Sequence, residues 1–242
     1  MVRKIALAAV VLAGLSLWCL GGEKIKVVVV TGGHGFNAKA FYALFEGYDD
    51  IEFTRAPQKD HSELFEDVSD WPYDVIVLYN MTQKISRKRQ ANFVGLLKKG
   101  VGLVVLHHAL AAFQDWPEYK KIVGGKYYLK PTVEDGVKHP RSGYKHGVRF
   151  KIKVADPKHP VTAGIEDFEI LDETYRGYVV DPSVHVLLTT EEPTSAKVLA
   201  WAKTYEKARV CYIQGGHDAH AYSNPSYRKF VVQAIRWAAG KQ

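Results

Sequence analysis

Short unbroken apolar runs alternate with segments of helical apolar spacing along the first half of the chain. Lys24 to Thr31 (KIKVVVVT) is rich in β-branched residues and reads as a strand buried on both faces. Ala38 to Phe45 follows as a helix, Ile51 to Arg55 as a short strand, and Tyr73 to Tyr79 (YDVIVLY) as another buried strand. Ser86 to Lys99 has Ser86 as candidate N-cap, Phe93, Val94, Leu96 and Leu97 on one side, and Gly100 as its stop, which predicts a helix. Gly102 to Leu106 (GLVVL) is the fourth strand. This βαβ rhythm implies an α/β fold with a doubly wound, mainly parallel sheet.

The second half has a more antiparallel pattern. Gly147 to Val154 alternates, Val184 to Thr189 and Val198 to Ala202 are short strands, Arg209 to Gln214 is a buried one, and Pro225 to Ala239 is an amphipathic helix. Trp116 to His146 is poor in apolar runs and carries several tyrosines, and is expected to be a loop-rich wall or lid near the strand ends. The pattern contains no repeat and no low-complexity linker.

The first 22 residues stand apart. Arg3 and Lys4 precede an apolar run from Ile5 to Leu20, and Gly21-Gly22 then offers a small-residue cleavage zone, the layout of a secretory signal peptide. Residues 1–22 are therefore expected to be a signal, with an uncleaved anchor as the alternative, and residues 23–242 a single domain of an exported, periplasmic or extracellular protein. Its composition, 47% hydrophobic and 24% charged, suffices for a core without staples. Losing Cys19 with the signal leaves Cys211, inside the apolar run Val210 to Ile213, as a packed core thiol. The formal charge of +7 loses two units with Arg3 and Lys4, leaving +5. The basic residues are scattered, apart from Ser86-Arg87-Lys88-Arg89 at a helix start, so no nucleic-acid partner is expected.

Ligands of an open parallel sheet bind beyond the carboxyl ends of its strands. Three such ends carry histidine: Thr31-Gly32-Gly33-His34-Gly35, Leu106-His107-His108 and Gln214-Gly215-Gly216-His217-Asp218. Leu171-Asp172-Glu173-Thr174-Tyr175 adds carboxylates. The glycines permit tight turns, or close approach of backbone N–H groups to a ligand oxygen. The spacing of the glycines fits neither phosphate-loop pattern, so no nucleotide is expected.

Gly102-Leu-Val-Val-Leu-His107-His-Ala, His159-Pro-Val-Thr-Ala-Gly-Ile165, Asp172-Glu-Thr-Tyr175, Gly216-His217-Asp218, Asn224-Pro225 and Ile235-Arg-Trp-Ala-Ala-Gly240 together resemble the ThuA-like (trehalose-utilisation) family over roughly residues 25–240. The resemblance implies a class I glutamine amidotransferase-like fold, a flavodoxin-like three-layer sandwich. It also implies site histidines at His34, His107 and His217 with Glu173 as the acid. Those four are the expected ligands of a divalent metal (Zn, Mn, Ni or Co), with Glu173 or His107 as catalytic base. His108, Tyr175, Asp218 and Tyr128 are expected to bind substrate. Gly125 to Pro131 departs from the family pattern, with Lys130 in place of a histidine. The amidotransferase cysteine position falls on His107-His108, so glutaminase chemistry is excluded. The implied partner is a small sugar. The implied activity is that of a keto-sugar isomerase or lyase, enolising 3-keto glycosides at C2. A non-catalytic carbohydrate-binding protein is the alternative.

Overall fold

A computed structural model describes residues 23–59, 61–134 and 136–241. The expected signal at 1–22 lies outside the described residues, among which no helix is long and apolar enough to cross a membrane. The elements run β1 (Ile25–Gly32), α1 (Ala38–Tyr42), β2 (Ile51–Pro57), β3 (Val75–Asn80), α2 (Arg87–Lys99), β4 (Gly102–Leu106), α3 (Pro117–Val123), β5 (Gly125–Lys126), β6 (Thr132–Glu134) and β7 (Val137–His139). They continue with β8 (Gly143–Val154), β9 (Phe168–Arg176), β10 (Val179–Val180), β11 (His185–Thr189), β12 (Val198–Tyr205), β13 (Ala208–Ile213), α4 (Ala219–Ser223) and α5 (Pro225–Ala238).

The main sheet has the order β2-β1-β3-β4-β13-β12-β11-β8-β9. β2, β1, β3, β4 and β13 pair in parallel, and every later pairing is antiparallel. The sheet is therefore mixed, with a parallel half and an antiparallel half. Alternation along β1 explains why its run is apolar throughout. Val27 and Val29 enter one core with Phe230, Val231 and Ile235 of α5. Val28 and Val30 enter a second core with Phe93, Leu96 and Leu97 of α2 and Ile122 and Val123 of α3. Helices thus cover both faces, and a central strand keeps no polar side.

Helix ends follow the expected chemistry. The Ser86 hydroxyl accepts from the Arg89 N–H at 3.3 Å, and Gly100 closes α2 at φ 97°. Cys211 is fully buried in β13, and burial pushes its thiol pKa up, as a core residue requires.

One expectation needs correction. The stretch from Trp116 to His146 is not mainly loop: it holds α3, β5, the β6–β7 hairpin and the start of β8. Its helix escaped notice because Pro117 to Val123 spans only two turns and carries Lys120 and Lys121. The segment around Asp172 is a nine-residue strand, β9, whose polar residues mask its alternation. β11 pairs only with Lys153 and Val154 of β8. The rest of the β8–β9 ribbon leaves the sheet and reaches the carboxyl ends of the parallel strands.

Glu134 anchors the β6–β7 hairpin. Its carboxylate accepts from Lys120 (2.7 Å), Lys126 (2.9 Å) and Tyr128 (2.8 Å). Burial raises the Glu134 pKa, but the bonds from Lys120, Lys126 and Tyr128 outweigh it and bring the pKa down from 4.5 to about 2. A depressed carboxyl pKa stabilises the fold fully above the unfolded value, and that stability is lost as pH falls from 4.5 toward 2. We expect Glu134→Gln to cost about 1–2 kcal/mol at neutral pH, allowing for solvent screening. The variant and the natural chain should converge in stability near pH 2 in urea melts followed across that window.

Candidate functional site

Three strand ends meet the β8–β9 ribbon at one place. His107 ends β4 in a sharp turn at φ 49°, a left-handed conformation that costs a non-glycine residue of order 1–3 kcal/mol. Its Nδ1 donates to the Gln214 carbonyl at 2.6 Å. A carbonyl only accepts, so in the neutral ring the lone pair lies on Nε2. That Nε2 has Tyr175 Oη at 2.8 Å, Glu173 Oε2 at 3.0 Å and His217 Nδ1 at 3.3 Å. His217 Nδ1 lies 3.4 Å from the same carboxylate oxygen, and His146 Nδ1 lies 2.9 Å from Glu173 Oε1.

Asp172 holds this arrangement together. It is 2% exposed, and its carboxylate accepts from the N–H groups of Glu173 (2.8 Å), Gly216 (2.7 Å) and His217 (2.9 Å). The ribbon that carries Glu173 is thereby tied to the turn that carries His217. Gly216 is needed there: at φ 110°, a Cβ would sit 2.2 Å from the Tyr227 hydroxyl, which itself donates to the Gly215 carbonyl. Tyr79 and Tyr222 support the turn from below, donating to the carbonyls of Gly216 and His217, each at 2.9 Å.

The charges are coupled. Burial raises the Glu173 pKa, yet the His107 and His217 imidazoles beside it hold it well below the usual carboxylate range. The Glu173 carboxylate in turn raises the His217 pKa against the opposing effect of burial. Burial raises the Asp172 pKa, opposed by His107 and the three backbone donors. Desolvation lowers His34 and, far more, His108, so both are neutral rings at pH 7.

A cavity of about 280 Å³ opens beside this cluster, lined by His34, Met81, His108, Tyr127, Leu129, Arg141, Tyr144, His146, Glu173 and Tyr175 among others. A larger cavity of about 580 Å³ lies between α3 and β10. Its Lys120 is already paired with Glu134, and the histidine cluster is absent from its lining, so the smaller cavity is where chemistry is concentrated.

The structure sorts the expected residues. His107, Glu173 and His217 bring one ligand atom each to within 4.8 Å of one another. His34 is not in that group. The Gly32-Gly33 turn folds over Met81 and Thr82, and sets His34 on His108 with ring centroids 4.5 Å apart. His108 and Tyr175 line the cavity as expected. Neither His108 ring nitrogen has a partner of hydrogen-bond geometry, although the Tyr79 backbone lies close enough to influence its charge. Asp218 instead caps α4 through the His220 N–H, and Tyr128 is fully buried against Glu134 and His139. Asp218, Tyr128 and the exposed Lys130 are not in the cavity lining. Sequence reasoning missed His146, Arg141 and the tie made by Asp172. The doubled carboxylate Asp172-Glu173 was the available signal, since adjacent strand residues face opposite ways and take different tasks.

The architecture and site define an α/β protein with a mixed sheet and a histidine–carboxylate centre over the ends of its parallel strands. The chain matches the ThuA family model, described as trehalose utilisation, over residues 26–238, and it belongs to that family. A ThuA-like protein from Parabacteroides merdae superposes with TM-score 0.76 at 21% identity, covering 90% of this chain and 91% of that one. A second, from Bacteroides uniformis, gives 0.65 at 19%, covering 89% and 91%. A β-galactosidase from Bacillus circulans sp. alkalophilus gives 0.58 at 11%, covering 91% of this chain and 32% of the enzyme. At these identities the likeness is one of fold. No curated protein matches the chain in sequence.

We expect Asp172→Asn to cost about 1–3 kcal/mol, because an amide offers one acceptor oxygen fewer and leaves a buried N–H unpaired. Denaturant melts measure this, and a loss under 0.5 kcal/mol would contradict the tie.

Proposed function

We propose that this ThuA-family chain is an exported sugar-processing enzyme that enolises 3-keto glycosides at C2, leading to isomerisation or to loss of the group at C1. The observation that carries the reading is the convergence of His107 Nε2, Glu173 Oε2 and His217 Nδ1 beside a small, part-aromatic cavity. At about 280 Å³ the cavity lies just under the ~300–1,000 Å³ typical of drug-sized ligands, which favours a single sugar ring.

A C3 carbonyl acidifies the C2 proton, and Glu173 is the base on this reading. The imidazole contacts that keep Glu173 ionised also weaken it as a base, so proton removal relies on that acidification. Tyr175 and the neutral rings of His34 and His108 are suited to hold the carbonyl oxygen and neighbouring hydroxyls. The unpartnered nitrogens of His108 favour this role, since buried polar atoms need partners.

The donor set also fits a divalent metal. With Nδ1–H of His107 given to Gln214, two nitrogens and a carboxylate oxygen converge as Zn, Mn, Ni or Co prefer. An ion held by His107, Glu173 and His217 would supply positive charge for the oxygen on which charge develops. We read the fold as amidotransferase-like in ancestry. His107-His108 then stands at the nucleophile turn and the buried Cys211 cannot replace a thiolate, which leaves glutamine hydrolysis without a nucleophile.

In D₂O the enzyme should place deuterium at C2 of a turned-over 3-keto glycoside. Glu173→Gln should lower kcat about 10²–10⁴-fold, the usual worth of a positioned base. Elemental analysis after dialysis tests the ion: active protein with substoichiometric metal removes it from the mechanism. Turnover without C2 exchange or a C2–H isotope effect rejects enolisation. Sugar binding without any turnover favours the carbohydrate-binding alternative, for which the exposed Tyr144 at the cavity mouth is the natural stacking face.

A further inference from the structure

The β8–β9 ribbon changes register at the height of Glu173. Below, Ile152 faces Phe168, Phe150 faces Ile170 and Val148 faces Asp172. Above, Lys145 faces Thr174 and Tyr144 faces Tyr175. Between these levels β8 has two residues, His146 and Gly147, where β9 has Glu173 alone. Gly147 takes φ 63°, a left-handed conformation that absorbs the extra residue. An added Cβ there would meet nothing within 4 Å, so packing does not demand a glycine at this position. The backbone conformation does.

The bulge decides which way His146 points. Opposed residues share a face and neighbours alternate. In a regular strand Gly147 would oppose Glu173, and His146 would turn to the Thr174 side, away from the site. With the bulge, His146 shares the cavity face with Tyr144, Glu173 and Tyr175. Its Nδ1 then reaches Glu173 Oε1 at 2.9 Å, and its ring packs on His217 with centroids 4.6 Å apart. The two carboxylate oxygens are thus divided: Oε1 faces His146 at the solvent side, and Oε2 faces His107 and His217 within.

We propose that His146 is a positioning residue that fixes the Glu173 carboxylate, and that the bulge at Gly147 exists to deliver it. The inference rests on the reading of Glu173 as the working acid of the site. His146 brings Nδ1 within 2.9 Å of the outer oxygen and stands outside the three-atom group, so it acts through Glu173. Partners of this kind change metal affinity or activity by about 10–100-fold when removed.

The test compares His146→Ala with His146→Asn in the purified protein. Asparagine keeps an N–H donor near the place of Nδ1 and loses the rest of the ring. The first readout is the ¹⁵N spectrum of the His107 and His217 imidazoles, with the protein metal-free or zinc-loaded, both diamagnetic. We expect His146→Ala to move these signals, because Oε2 shifts when Oε1 is released, and His146→Asn to return them. On a 3-keto glycoside, His146→Ala should lower kcat about 10–100-fold with KM within about twofold, and the asparagine variant should recover most of that loss. Unmoved imidazole signals in His146→Ala overturn the proposal, and so does failure of asparagine to restore them. If the natural protein turns over no keto sugar, the enzymatic reading fails, while the imidazole spectra still decide the role of His146.

Discussion

The buried carboxylate of Asp172 is the constraint on which the site depends. Three backbone N–H groups converge on it, one from its own strand and two from the turn after β13. In the sheet order β9 is an edge strand and β13 a central one, separated by β12, β11 and β8. A buried charge is costly unless it is well bonded, and here the bonding partners are main-chain groups that need satisfaction themselves. Each side therefore removes the other's penalty, and the result is a fixed distance between Glu173 and His217.

A second constraint acts on His107. The strained turn after β4 and the bond to the Gln214 carbonyl leave the ring a single orientation, with Nε2 aimed at Tyr175, Glu173 and His217. Two acceptor atoms 3.0 Å apart, the Nε2 lone pair and Oε2, need a cation between them, whether proton or metal. That need explains the opposite shifts at the site: Glu173 is held ionised and His217 is more readily protonated, each through the other. Above them, burial keeps the stacked rings of His34 and His108 neutral. The cavity thus presents a charged floor beside neutral hydrogen-bonding walls, an arrangement suited to a polar, uncharged ligand.

Much of the parallel half was legible from the chain. β1, β3, β4 and β13 are short, largely apolar runs buried on both faces. The placement of His34, His107 and His217 at strand ends followed directly, because a parallel sheet collects the ends of its strands along one edge. The antiparallel half was less legible. β9 mixes core residues with Asp172, Glu173 and Thr174, all buried for reasons of bonding, so its hydrophobic alternation is hidden.

The sequence by itself determined the α/β class, the family motifs, the strand-end histidines and the burial of Cys211, because each depends on neighbours within a few positions. Only the tertiary structure decided which groups meet. It separated His34 from the His107–Glu173–His217 group, directed Asp218 and Tyr128 to local structural bonds, and brought in His146 through one extra residue in β8. The reason is physical. Periodicity fixes the face a residue shows within its own element, whereas contact between elements depends on register, bulges and long-range backbone bonds that leave no local pattern in the chain.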